Sequence, residues 1–499
     1  MASIALLPAL LLLQAQDAPA PWAEVVSSAL RGVVSIRSRI RYSVGRDEAG
    51  PFEGSGFVVD RERGLIATNR HVAGEGVVAD LEVRFFDGTA VPAERLYADP
   101  LHDFAFLRFE PKAAPPDILE IPLDHEEPAM GAEVRMIGNN GGLAATVLPG
   151  TVSNLAAWWD QDPGVAYMQT SIASVGGSSG SPVLDARGRA VGLQTAHDDH
   201  NSYALPAEYL ADALATLRSG MIPPRGTVGL RMRQIDLAEA VAAGAVSGDA
   251  ARGLALQAGR ELAVEPGAAA ILSIVEGVVP DTPASATLQP GDAVVSIAGV
   301  LADDPRAIEH ALDMSVGKKV TIRFYRNDVL GAVDLEVSDL HKEGVDRIAL
   351  FCGAAFHDVS YEVRARTDLA RRGALVSHVT PGSAAEAADL QRDDLILAIG
   401  GRPIADAAQL WRVFEQARHG DRLSLLVRRP ASFDSATRLL LLTVDRAWDS
   451  ARFLTRRGGR WSDSSEPPQS APASRPSGAP ASAPPLVPRE PAEKRASGR

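Results

Sequence analysis

Cysteine is all but missing from this chain. Of its 499 residues only Cys352 is one, which excludes an intramolecular disulfide and any metal site built on thiolates. Cys352 sits in an apolar run whose neighbours Phe351 and Gly353 offer no base, so packing rather than nucleophilic chemistry is expected of it. Long apolar runs are missing too. The stretch 4–13 is about half of the roughly 20 residues a helix needs to cross a bilayer, and suits the core of a signal peptide over 1–20. No Lys or Arg precedes it, but small residues at Ala15 and Ala18 follow. Export to a periplasm or cell envelope is therefore expected, with no membrane span once the signal is removed. Basic charge is also short: 50 Lys+Arg against 63 Asp+Glu leave −13, with no basic stripe before the tail, which argues against nucleic acid as a partner.

What remains is an ordinary globular composition, 46% hydrophobic and 23% charged, long enough for about three domains. Its most unusual stretch is Gly176-Gly177-Ser178-Ser179-Gly180-Ser181-Pro182. Glycines permit a sharp turn and leave amides uncovered, so such a loop can aim N–H donors at charge developing beside a hydroxyl. Two readings compete. As G-x-S-x-G, Ser178 attacks from a strand-to-helix elbow and needs an acid and a histidine downstream. Alternatively Ser179 attacks, with the order His, Asp, Ser.

The second reading has partners in good context. His71 follows an apolar strand in Ala67-Thr68-Asn69-Arg70-His71-Val72, and Asp103 stands in Asp99-Pro100-Leu101-His102-Asp103-Phe104, a turn that feeds another strand. Here the chain resembles the HtrA serine proteases: Gly54-Ser55-Gly56-Phe57 is similar to their G-S-G-F strand, Thr68-Asn69-Arg70-His71-Val72 to their T-N-x-H-V, and Gln169-Thr170 to the entry of their serine loop. The resemblance is closest to the subgroup that includes the fungal nuclear HtrA-like protease, which shares Gly177-Ser178-Ser179-Gly180-Ser181-Pro182 and Phe356-His357-Asp358-Val359-Ser360-Tyr361. Ser178 and Ser181 depart from the commoner HtrA loop. The resemblance implies a triad of His71, Asp103 and Ser179, an oxyanion hole from the amides of Gly177 and Ser179, and a strand through Gln194, Thr195 and Ala196 lining the substrate's primary pocket.

Short apolar segments punctuated by turns run from residue 33 to 205 and end in an amphipathic helix over 206–217. They predict a mainly β domain, a barrel or a sandwich, and the resemblance implies a chymotrypsin-like double β-barrel over 22–220. Beyond it the chain repeats: Leu288-Gln289-Pro290-Gly291-Asp292 returns as Leu390-Gln391-Arg392-Asp393-Asp394, an offset of 390 − 288 = 102. A period that long means tandem domains. The order strand, small-residue helix, strand, helix, strand resembles PDZ domains, giving two PDZ-like α+β domains at 226–338 and 350–445. By resemblance, C-terminal peptides would be held at Val228, Gly229 and Leu230 in the first and at Ala355 and Phe356 in the second. The Pro-, Ser- and Ala-rich 462–499 is expected to be a disordered tail.

The function expected is an ATP-independent serine endopeptidase of unfolded or exposed polypeptide, in envelope quality control, needing no cofactor or metal and forming a homo-oligomer. The alternative is a catalytically silent PDZ chaperone that binds misfolded chains.

Overall fold

The computed structural model describes residues 22–45, 49–74, 78–158, 165–236, 271–367, 369–429, 437–447, 451–457 and 460–464. The signal segment and all but the first three residues of the expected tail lie outside these. Helix α1 (Trp22–Ala29) leads into β1 (Val33–Ile40), whose largely alternating burial turns one face inward. With β2 (Gly50–Asp60), β3 (Leu65–Thr68), β4 (Val78–Arg84), β5 (Ala90–Ala98) and β6 (Ala105–Phe109), it closes a barrel in the order β1-β2-β3-β6-β5-β4. Helix α2 (Arg70–Ala73) is a single turn between β3 and β4. A second closed barrel follows: β7 (Glu133–Asn140), β8 (Leu143–Trp158), β9 (Ala166–Thr170), β10 (Pro182–Leu184), β11 (Ala190–His197) and β12 (Ser202–Pro206), in the order β10-β11-β12-β9-β8-β7. Phe57, Phe104, Phe106, Tyr167 and Leu193 form one core shared by both barrels, and α3 (Ala207–Arg218) packs Leu210 and Leu214 against it.

Two smaller sheets follow. In the first, β13 (Gly226–Thr227) leads to β14 (Leu230–Asp236), β15 (Ile271–Val278), β16 (Ala293–Ile297), β17 (Val300–Leu301), α4 (Pro305–Asp313), β18 (Lys319–Arg326) and β19 (Val329–Glu336). The sheet order is β14-β15-β16-β18-β19, with β14 at the edge, and β13 pairs with β20 (Ser338–Asp339). The second sheet holds β21 (Arg347–Phe351), β22 (Ala354–Asp358), α5 (Tyr361–Thr367), β23 (Ala374–Val379), α6 (Ala384–Ala387), β24 (Leu395–Ile399), β25 (Arg402–Pro403), α7 (Ala407–Gln416), β26 (Arg422–Arg428) and β27 (Thr437–Thr443). It continues past Asp445, the boundary expected from sequence, because β28 (Arg452–Arg457) and β29 (Arg460–Asp463) extend it to the order β27-β26-β24-β23-β22-β21-β28-β29.

The sequence repeat has a structural cause. Asp292 accepts from the amide of Gln289 at 2.9 Å and pairs with Arg326, while Asp394 accepts from Gln391 at 2.9 Å and pairs with Arg429. Each aspartate ties the turn before its strand to the hairpin behind it. The long helices start alike, since Asp304 caps α4 and Asp406 caps α7 with a side-chain oxygen. Among the described residues no helix is long and apolar enough to cross a membrane.

Candidate active site

The serine loop enters β10 directly, so a strand and not a helix follows Gly180, and the elbow reading that would make Ser178 the attacking group fails on topology. Two glycines give the loop its shape. Gly180 has φ +87, and a methyl there would stand 2.0 Å from the Ser55 carbonyl. Gly54 lies so close to Val72 and the Ser179 carbonyl that a Cβ would meet Val72 at 2.7 Å. This explains the G-S-G strand: β2 must come flat against the serine loop. There the Ser55 amide donates to the Ser179 carbonyl at 2.8 Å and the Ser55 hydroxyl to the Gly177 carbonyl at 3.1 Å.

Within the loop the two serines part. Ser178 is buried, its hydroxyl donating to Asn140 Oδ1 at 2.6 Å. Ser179 Oγ instead lies 3.5 Å from the Thr195 carbonyl on β11. The amides of Ser178, Gly180 and Ser181 donate to the carbonyls of Val175, Gln194 and Ser178. Among the described residues, the amides of Gly177 and Ser179 donate to no backbone carbonyl.

His71 sits on α2, at the rim between the barrels. Its Nδ1 lies 2.6 Å from Asp103 Oδ2, and its amide donates to Asp103 Oδ1 at 3.0 Å. Asp103 is 9% exposed. Burial works against its ionisation, but the His71 ring and then the Arg70 guanidinium outweigh it and hold the carboxyl at about 2. A charged carboxylate on Nδ1–H leaves Nε2 as the basic nitrogen of the ring.

Asn69 has a part that sequence reading missed. Its Nδ2 donates to the Asp103 carbonyl at 2.8 Å and to Thr195 Oγ1 at 3.1 Å, tying the histidine turn, the acid turn and β11 together. The T-N-x-H-V motif contains it, yet nothing local shows that its partners stand 34 and 126 residues away. Gln194 and Thr195 turn out differently from the substrate-facing expectation. Both side chains are buried: Gln194 donates to Ser174 Oγ and the Ala196 carbonyl, and Thr195 to the Leu193 carbonyl. Ala196, also buried, offers its backbone alone.

The acid turn is anchored from outside the barrels. Asp99 is fully buried and accepts from the amides of Leu101 and His102, an Asx-type turn that sets up Asp103. It also accepts from the Tyr97 hydroxyl and from Arg225 Nε at 2.6 Å, and Arg225 reaches on to Asp313 of α4. Burial opposes charge on Asp99, yet Arg225 and His102 bring its pKa below the ordinary carboxylate value. His102 Nε2 lies 2.9 Å from Glu309 Oε2, also on α4. Burial depresses the imidazole, but Glu309 and then Asp99 outweigh it and raise its pKa. From the second sheet's side, Glu362 of α5 lies 3.4 Å from Arg70.

Of the expected peptide-holding residues, Leu230 lines a cavity of about 180 Å³ between β14 and α4 with Met232, Ile308 and Leu312, whose far wall includes Leu101 of the acid turn. Val228 and Gly229 lie on the loop leading into β14, their carbonyls accepting from Ala284 and Val279. Ala355 and Phe356 do not fit the expectation. Both are buried within β22, and β22 is paired on both edges, by β21 and β23, so it has no free edge for a peptide.

Residues 54–193 match the family "Trypsin-like peptidase domain", and residues 375–429 match "PDZ domain". "Pro-apoptotic serine protease NMA111" of Vanderwaltozyma polyspora is 31% identical over 369 residues, covering 71% of this chain and 36% of that protein. "Protease Do-like 7" of Arabidopsis thaliana is 30% identical, covering 81% of this chain and 38% of the relative. The NMA111 protease of Chaetomium globosum is 34% identical, covering 72% and 35%. The chain thus spans well under half the length of these relatives. A trypsin-like peptidase domain placed ahead of a PDZ domain, in a chain whose fungal and plant relatives are named as proteases, makes this protein a member of the HtrA family of serine proteases.

Proposed function

We propose that the chain is an ATP-independent serine endopeptidase in which Ser179, His71 and Asp103 form the triad. The 2.6 Å contact between Asp103 Oδ2 and His71 Nδ1, with the Asp103 carboxyl held at about 2, carries this reading. Ser179 Oγ forms a bond to the substrate carbonyl carbon while its proton passes to His71 Nε2. Asp103 holds the imidazole's tautomer and stabilises its charged form. The tetrahedral oxyanion is received by the amides of Gly177 and Ser179, a kind of donor whose loss costs on the order of 10² to 10³ in rate. Collapse breaks the peptide C–N bond, the leaving amine takes the proton from His71, and a water repeats the sequence on the acyl-enzyme.

Unfolded or exposed polypeptide is the substrate class, and C-terminal peptides bind the first PDZ unit, whose Leu230 lines the cavity between β14 and α4. Homo-oligomeric assembly and export belong to the same reading, export resting on the apolar stretch 4–13. The test is a fluorophosphonate probe together with casein degradation. The adduct is expected on Ser179, with casein cleavage lost in Ser179→Ala and steeply reduced in His71→Ala. Mapping of the adduct to Ser178, or full activity in His71→Ala, would reject the mechanism.

A further inference from the structure

The two small sheets share one plan and differ in how the chain enters it. In the first, the carbonyls of Val228 and Gly229 accept from Ala284 and Val279; in the second, those of Cys352 and Gly353 accept from Ala385 and Thr380. Val228-Gly229 and Cys352-Gly353 are therefore the same loop, and β14 and β22 are the same strand after it. In the first sheet the chain reaches that loop past the end of α4, the Gly226 amide donating to Asp313 at 2.7 Å. Among the described residues no strand pairs with the edge of β14 facing α4, and the cavity described above lies beside it. In the second sheet the chain reaches the loop along β21, which turns back through Cys352 and Gly353, both at positive φ, and pairs antiparallel with β22.

That is the path of a PDZ ligand: an extended strand added to the sheet edge beside the long helix, its last residue at the loop. β21 packs more extensively against α7 than β22 does. Phe351, its final residue, stacks on Phe414 of α7 and on Phe356 of β22, with ring centroids 3.3 Å and 4.5 Å away. At the other end Arg347 reaches Asp358 of β22 at 2.6 Å and Asp406, the cap of α7, at 3.7 Å. We infer that β21 is a tethered ligand of the second PDZ unit, so that this unit receives no free peptide terminus and serves to dock on the protease domain.

The strand's two faces support that division. Ala349 and Phe351 enter the unit's own core. Ile348 and Leu350 point the other way, into a cluster with Val44 and Tyr42 of the first barrel. The Gly45 amide also donates to His357 Nε2 at 3.3 Å. A strand pinned on one face by the helix and on the other by the protease leaves no room for a competitor. This inference rests on the proposed reading only in taking peptide termini as the ligands of PDZ units.

The experiment uses the full chain carrying Ser179→Ala and, as probe, a free-carboxylate octapeptide with the sequence of residues 344–351 and photo-leucine in place of its leucine. Adducts are expected on β14 or α4 and none on 354–358 or 407–416. Hydrogen exchange of 347–351 is expected to be as slow as that of 374–379, to within about tenfold. Adducts on β22 or α7, or exchange of 347–351 faster than 374–379 by a factor on the order of 10², would overturn the inference. Met232→Arg, which blocks the first groove, is expected to remove the adducts altogether, and adducts persisting on the second unit would again overturn it. Absence of adducts at the first groove in the Ser179→Ala chain would count against peptide reception there, while the exchange measurement still decides the fate of β21.

Discussion

At the residue scale the site depends on which hydrogen each buried carboxylate holds. Asp103→Asn keeps the size of the side chain but favours the wrong imidazole tautomer, so kcat is expected to fall by roughly 10⁴ with the fold intact; single-turnover kinetics beside a circular dichroism melt will read both. Its carboxyl is also a pH-dependent element of stability. Because the folded value is depressed to about 2, its contribution, on the order of 2 kcal/mol, is present above the unfolded value near 4 and lost as pH falls through 2. Urea unfolding of wild type and Asp103→Asn should therefore differ at pH 7 and converge toward pH 2. Ser178→Ala removes a hydroxyl from Asn140 without touching the reacting groups, and activity should stay within about tenfold while stability drops by about 1–2 kcal/mol. A larger loss of rate than in Asp103→Asn would contradict the roles given to the two serines.

At the scale of elements, most of the barrel strands could be read from sequence because each buries a short apolar run. β5 could not be, since Pro92, Glu94 and Arg95 interrupt its pattern although it pairs on both sides. β21 was visible as an apolar run, but its role depends on α7, some 60 residues later, and on the first barrel, 300 residues earlier. β28 and β29 are rich in arginine and read as the approach to a tail. His71, Asp103 and Ser179, the proposed triad, could be singled out because each sits in its own local motif; Asn69 and the anchors of the acid turn could not, because their partners are distant in the chain. Those anchors make a prediction about α4. His102 has a raised folded pKa, so the Glu309 pairing contributes below the unfolded value of about 6.5 and is lost as pH rises through the folded one. Asp99, Arg225 and Tyr209 surround the same ring and remain in place. Glu309→Gln should lower the melting temperature at pH 6 and change it little at pH 9, and the opposite order would remove the charged pair from the account.

At the scale of the whole molecule, sequence reasoning suggests that a short peptide substrate needs only the barrels, so that deleting 226–445 would spare its hydrolysis. The contacts point the other way. Removing the small sheets takes Asp313 from Arg225, Glu309 from His102 and Glu362 from Arg70, all around the turn that carries Asp103. A truncation at residue 225 is therefore expected to lose at least tenfold in kcat/KM on a chromogenic peptide as well as on casein, since the contacts that hold the acid turn from outside the barrels go with the sheets. Unchanged peptide hydrolysis would show that the barrels hold the acid turn alone. The second PDZ unit is held from two directions: Arg364 is fully buried, reaching the Pro280 carbonyl of the first unit and Glu343, and β21 packs on the first barrel. A binding surface that carries its own occupant is released from recognising anything else. Among descendants of this sequence, Ile348, Leu350 and Phe351 should then drift together with Val44, Phe356 and Phe414 as one body of mutually fitted shapes, whereas Leu230 and Met232 should follow the chain ends of whatever visits them.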